Sequence, residues 1–188
     1  WSIAGRNLGN PTGFGQTGMR GPTGISGPTG PCCSHHVTED NYLCVSDNTM
    51  QVGGTGGTYK DISFNNNINT SGWTVAPTSF TCQSTGVYII QYSVSFKSHG
   101  ASRSIALHVT NNGNELPGSY IAVDSQSSIS TQSISRYFIA TVNSGNIIKV
   151  QFAGNSTGNI YLYPTSISGP LPAGQPNVSA ELVISRIK

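Results

Sequence analysis

Tyr88-Ile89-Ile90-Gln91-Tyr92-Ser93-Val94-Ser95-Phe96 is the stretch on which the fold turns. Tyr88, Ile90, Tyr92, Val94 and Phe96 recur with a period of two, which sets them on one face of a strand; Gln91, Ser93 and Ser95 share the other. Outward along the chain, Ile147-Ile148-Lys149-Val150-Gln151-Phe152 alternates in the same way and predicts burial of Ile148, Val150 and Phe152. Asn111-Asn112-Gly113-Asn114 follows the run Ile105–Val109 and is a hairpin signal, because its glycine tolerates positive φ. Gly154-Asn155-Ser156-Thr157-Gly158 joins Phe152 to the run Ile160–Tyr163 in a similar turn. Further strands are expected at 42–46, 59–64, 79–83, 103–109, 118–123, 135–142 and 179–187. About ten strands at roughly 8–12-residue spacing are the pattern of an all-β, two-sheet sandwich or jelly roll.

Composition narrows the class. Charged residues make up 9% of the 188, against a usual share of about a quarter. Gly, Ser, Thr and Asn take their place, and good helix formers cluster nowhere. The net charge is +2 with Lys and Arg scattered, so there is no electrostatic footprint for nucleic acid or an anionic membrane surface. No apolar stretch approaches the ~18 residues of a membrane span. The chain opens at Trp1 and reads as a processed or partial chain, so the lack of a leader does not argue against export. So little surface charge suits a particle coat or filament better than a cytosolic enzyme.

Before the strands begin, Gly15, Gly18, Gly21, Gly24, Gly27 and Gly30 fall at a strict three-residue spacing, GQT-GMR-GPT-GIS-GPT-GPC. Three polyproline II chains wind round one axis only where every third residue lacks a side chain. Pro22, Pro28 and Pro31 pre-set the backbone angle for that conformation. The run is collagen-like and implies three chains side by side, a homotrimer. At ~3.1 Å per residue the rod is at most about 55 Å long and short for independent stability. It needs a trimeric head, covalent links or further triplets upstream. The organisation is therefore a linker or anchor segment at 1–14, a collagen-like stalk at 15–32, a connector with cysteines at 33–41 and a head at 42–188.

The segment Ser79-Phe80-Thr81-Cys82-Gln83-Ser84-Thr85-Gly86-Val87-Tyr88, continuing to Phe96, resembles the F-T-C-x-x-x-G-x-Y-x-F-x-Y signature of the C1q globular domain. Ile90 stands where that signature has phenylalanine. Gly57-Thr58, Tyr59–Asn66, the hairpin around Asn112-Gly113 and the turn Ser144-Gly145-Asn146 are similar to other parts of that domain. The resemblance implies a ten-stranded jelly roll of the C1q and tumour-necrosis-factor type, packed as a tight homotrimer with the chain ends at its base. The GPT triplets and Thr/Asn-rich head are closer to bacterial spore collagen-like glycoproteins of the exosporium filament type, and large-virus fibre proteins use such stalks too. The C-terminal Ser179–Lys188 lacks the aromatic-glycine closing strand of complement heads, so no ligand carries over.

Candidate chemistry is sparse. Cys32 and Cys33, where the triplets end, are favoured as interchain disulfides over free thiols; GPCC resembles the cystine knot closing some fibrillar collagens. Cys44 and Cys82 have two readings, a pair within the head or buried free thiols, the second favoured for Cys82. Cys32-Cys33-Ser34-His35-His36 has zinc-ligand types at a spacing that matches no standard site, so no metal or other cofactor is expected. His99 reads as a solvated loop residue and His108 as a packed or solvent-facing strand residue, and neither has a partner motif for catalysis. Thr17, Thr23 and Thr29 would face outward on a triple helix and are glycosylation candidates. Asn69-Thr70-Ser71, Asn155-Ser156-Thr157 and Asn177-Val178-Ser179 match the N-linked acceptor pattern but arise easily in such a composition. Tyr88, Ile90, Tyr92, Val94 and Phe96, with Tyr161 and Tyr163, are expected to be shared between the core and the trimer interface.

The expected protein is a non-enzymatic, extracellular surface fibre, displayed on a spore exosporium or virion exterior and held by an anchoring surface-layer protein. The alternative is an adhesin or receptor-binding tip that recognises a host surface or glycan through loops such as Lys97–Ser104 and Asp124–Ser133.

Overall fold

The alternating runs become strands, and no helix is present among the described residues. The structure, a computed structural model, describes residues 41–53, 56–98, 103–125, 131–155, 160–164 and 178–188. The stalk, Cys32, Cys33, Thr17, Thr23, Thr29 and His99 lie outside these residues.

The strands are β1 (Tyr42–Asp47), β2 (Gln51–Val52), β3 (Lys60–Asp61), β4 (Asn66–Ser71), β5 (Trp73–Ala76), β6 (Ser79–Cys82) and β7 (Gly86–Ser98). They continue with β8 (Arg103–Asn111), β9 (Asn114–Glu115), β10 (Ile121–Ser125), β11 (Gln132–Val142), β12 (Ile147–Gly154), β13 (Ile160–Leu162) and β14 (Ala180–Arg186). Each of the ten expected segments contains a strand, although 59–64 contracts to the two residues of β3. The described residues hold fourteen strands rather than ten, because β2, β4, β5 and β9 also pair. β4, with sequence NNINTS, carries no apolar alternation and is a strand through its ladder with β1. Pairing overrides a composition that alone signals a turn.

The first sheet runs β2-β13-β7-β14-β1-β4, with β11 on the other edge of β7; the second runs β10-β8-β12-β6-β5, with β3 on β12 and β9 on β8. All these pairings are antiparallel. β8 turns into β9 through Asn112 and Gly113, both at positive φ (51° and 83°), as a two-residue hairpin turn requires.

The inner faces of the two sheets close on one core. Tyr88, Ile90, Tyr92, Val94 and Phe96 meet Ile105, Leu107, Val109, Ile148, Val150 and Phe152, all no more than 1% exposed. Phe64 and Phe80 pack edge to face at 5.5 Å, and Trp73 and Tyr88 at 5.4 Å. Burial on this scale, about 1.5–3 kcal/mol for each large apolar side chain, is what holds a fold with so few charges.

Candidate functional site

Because β-strand side chains alternate, the residues between the core positions emerge on the outer face of the first sheet. Cross-strand register lines them up. One row runs Tyr137, Gln91, Val183, Cys44 and Asn69; the next runs Ile139, Ile89, Ser185, Tyr42 and Ser71. Tyr137 is 76% exposed and Ile139 60%, and Ile89 is also exposed. Ile68, the extra residue where the β1–β4 register shifts, is equally open to solvent. A third row, Ser135, Ser93, Glu181, Ser46 and Asn66, contributes Glu181, the one charge in the three rows. A solvated sheet face carries polar and charged side chains; this one sets tyrosine, isoleucine, valine and cysteine among its serines and asparagines. β11 is moreover an eleven-residue edge strand that pairs with β7 alone among the described residues. A long edge of this kind, with Arg136 its one charge, is ordinarily covered.

Tyr88, Ile90, Tyr92, Val94 and Phe96, expected at core and interface together, all lie in the core of a single chain and are at most 1% exposed. The surface that faces outward is on the opposite parity of β7 and on β11. A sequence signal for it existed. Tyr137-Phe138-Ile139 in β11 and Ile89-Ile90 in β7 are apolar on both faces, the mark of a strand covered on both sides. Tyr163 is partly exposed, with Lys97 Nζ 5.7 Å from its ring centroid, and Tyr161 is half-buried in β13.

Two core tyrosines turn their hydroxyls to backbone carbonyls. Tyr88 donates to Ser84 O at 2.6 Å and Tyr92 to Ser119 O at 2.6 Å. Burial, above all, pushes both phenols well above their ordinary range. Cys44 and Cys82 are both free thiols, so the reading that pairs them within the head is set aside. Cys82 is buried and donates to Ser84 O at 3.0 Å. Cys44 is half-buried in the apolar rows, where burial and then the Glu181 carboxylate raise its thiol. That favours an inert thiol over a nucleophile.

The second sheet carries a polar relay on its outer face. His108 Nδ1 lies 2.9 Å from Glu115 Oε2, and its Nε2 2.8 Å from Gln151 Oε1. Gln151 Nε2 donates to Asp61 Oδ1 at 2.6 Å, and Lys149 Nζ pairs with Asp61 Oδ2 at 2.6 Å. Burial raises the Asp61 carboxyl, but the bonds from Gln151 and Lys149 and the lysine charge outweigh it and hold the group below its ordinary value. Tyr59 stacks on the His108 ring at 3.9 Å and 12°. Both imidazole nitrogens are thus occupied, one by a carboxylate and one by an amide, and sequence reasoning found none of these partners. Among the described residues no three His, Cys, Asp or Glu side chains converge as a metal site. No helix among them is long and apolar enough to cross a membrane.

Solved structures share this arrangement of sheets. The Eiger TNF of S. frugiperda aligns with a TM-score of 0.54 and 14% identity, over 79% of this chain and 92% of that one. Murine APRIL aligns with a TM-score of 0.50 and 10% identity, over 77% and 97%. The fold is therefore the jelly roll of the tumour-necrosis-factor class. The globular domain of zebrafish complement 1qA protein aligns at a TM-score of 0.47 with 14% identity, too distant to add to that assignment. No protein-family model and no curated protein sequence matches the chain.

Proposed function

We propose that this chain is a structural surface-fibre protein whose jelly-roll head assembles as a homotrimer on a collagen-like stalk. The observation that carries the reading is the outer face of the first sheet, where Tyr137, Ile139 and Ile89 stand exposed in register beside Val183, Cys44 and Tyr42. The triplet run supports it independently. Glycine at every third residue from Gly15 to Gly30 has a physical purpose only where three chains share an axis. A head that buries this face against two copies of itself would align the stalks, and the Gly-X-Y run would zip from that end. Displayed in numbers, such units form a low-charge, hydrophilic fringe on the exterior of a spore or virion, tethered by an anchoring surface-layer protein. The role needs no catalysis.

The test is the mass of the full chain in native buffer by sedimentation equilibrium. A trimer is expected. Changing Tyr137 and Ile139 together to Asp, both exposed in the single chain, should give monomeric heads whose far-ultraviolet circular dichroism is unchanged. A monomer for the unaltered chain, or a trimer unaffected by the double change, refutes the reading.

A further inference from the structure

The outer face of the second sheet holds a hollow of about 210 Å³. Its floor is a row of three alanines at one level across three strands: Ala122 on β10, Ala106 on β8 and Ala153 on β12. One wall comes from the segment that leads into β3. Gly57 N bonds to Gly154 O at 3.2 Å, and Tyr59 stands on the His108 ring beyond it. Tyr120, 46% exposed, supplies the other wall just ahead of β10. The third side is polar. Ser104 donates to Asp124, and Asn155 Nδ2 donates to Ser104 Oγ at 3.3 Å. Asp124 and Asn155 keep acceptor capacity beyond those bonds.

We propose that this hollow is a binding site for the pyranose ring of a sugar. A sugar ring has one apolar C–H face and a rim of hydroxyls that each donate and accept, and both halves of that chemistry are met here. Methyl-sized floor residues and tyrosine walls suit the C–H face, while Asn155 and Ser104, the latter bonded to Asp124, line the side where the rim would fall. Two phenol hydroxyls add donors; burial, and then Tyr120 and Glu115 nearby, keep that of Tyr59 protonated. The volume sets the size of the ligand. At 210 Å³ it falls below the ~300–1,000 Å³ of pockets for larger organic molecules, which leaves room for one ring at a time. The hollow lies within one chain, so it does not depend on the trimer reading.

The test uses the full chain and saturation-transfer NMR with the methyl pyranosides of glucose, galactose, mannose, rhamnose and N-acetylglucosamine. The same sugars as chain ends on beads separate a glycan from a free monosaccharide. At least one sugar should receive saturation in one of the two formats. Tyr120→Ala should weaken that binding roughly tenfold, the scale of one lost aromatic contact, and Tyr120→Phe should largely retain it. Ala106→Gln, which fills the floor, should abolish it. Both positions face away from the core, and an unchanged melting temperature checks that the variants fold. Saturation of none of the sugars in either format, or binding indifferent to Ala106→Gln, overturns the proposal. Sedimentation of the same samples reports the trimer separately.

Discussion

At the scale of single residues, the most informative groups are polar atoms at the centre of an apolar core. Tyr88 and Tyr92 bury whole rings, yet each hydroxyl reaches a carbonyl, and an unmade bond there would cost about 1–3 kcal/mol. Alternation along 88–96 made their burial readable. The Tyr92 acceptor was not, since Ser119 is 27 residues away in sequence. Asp47, fully buried, is a parallel case. It accepts from Thr49, Gln51 and Ser179, the last 132 residues away, and no local pattern marks it. The raised phenols have a consequence in alkali. An unfolded tyrosine loses its proton near pH ~10, while these two hold theirs higher, so unfolding is favoured as pH climbs past that point. Below it their contribution is complete. Urea unfolding midpoints should stay flat up to about pH 9 and then fall, and Tyr92→Phe should lessen the fall. An equal fall in the variant would show that Tyr92 is not one of its sources.

Among the elements, β7 is the organiser. It pairs with β11 along one edge and with β14 and β13 along the other, so its register sets most of the first sheet. Gly86 opens it because of crowding from the chain's last residues. A Cβ there would sit 2.5 Å from Arg186 Nε and 2.7 Å from Lys188 O. The carbonyl is held in place by Val87 N at 2.8 Å, so it cannot easily yield. Gly86→Ala should therefore destabilise the head by roughly 1–3 kcal/mol, the range for overpacking, read as a lower urea midpoint with an unchanged slope. No loss of stability would mean that the closing segment shifts freely. β7 and β12 were legible because Gln91, Ser93 and Ser95, and Lys149 and Gln151, differ in polarity from the core-side residues between them. β4 was not, because its asparagines and threonines belong equally to a turn, and the pairing that makes it a strand is supplied by β1. β11 was legible as a strand but its outward face was not read, though Tyr137 and Ile139 alternate with Phe138 and Ala140 on both sides.

For the whole molecule, two sheets seal one core, and the tyrosine- and isoleucine-bearing outer face of the first is left over. The proposed trimer accounts for that surplus, and the stalk raises a covalent question at the same scale. Cys32 closes the sixth triplet and Cys33 follows it directly, where three chains would lie close enough to cross-link. Non-reducing electrophoresis of the full chain should show a trimer band that collapses to monomer with reductant, and changing both cysteines to Ser should remove it. A monomer band without reductant defeats the link. Periodicity in the chain was enough to specify an all-β head and its core-facing residues, because a period of two is a local property that burial must respect. Which outward face stays bare, how His108 is engaged and where three alanines make a floor depend on register between strands far apart in sequence. Only the packed sheets bring those residues to one level.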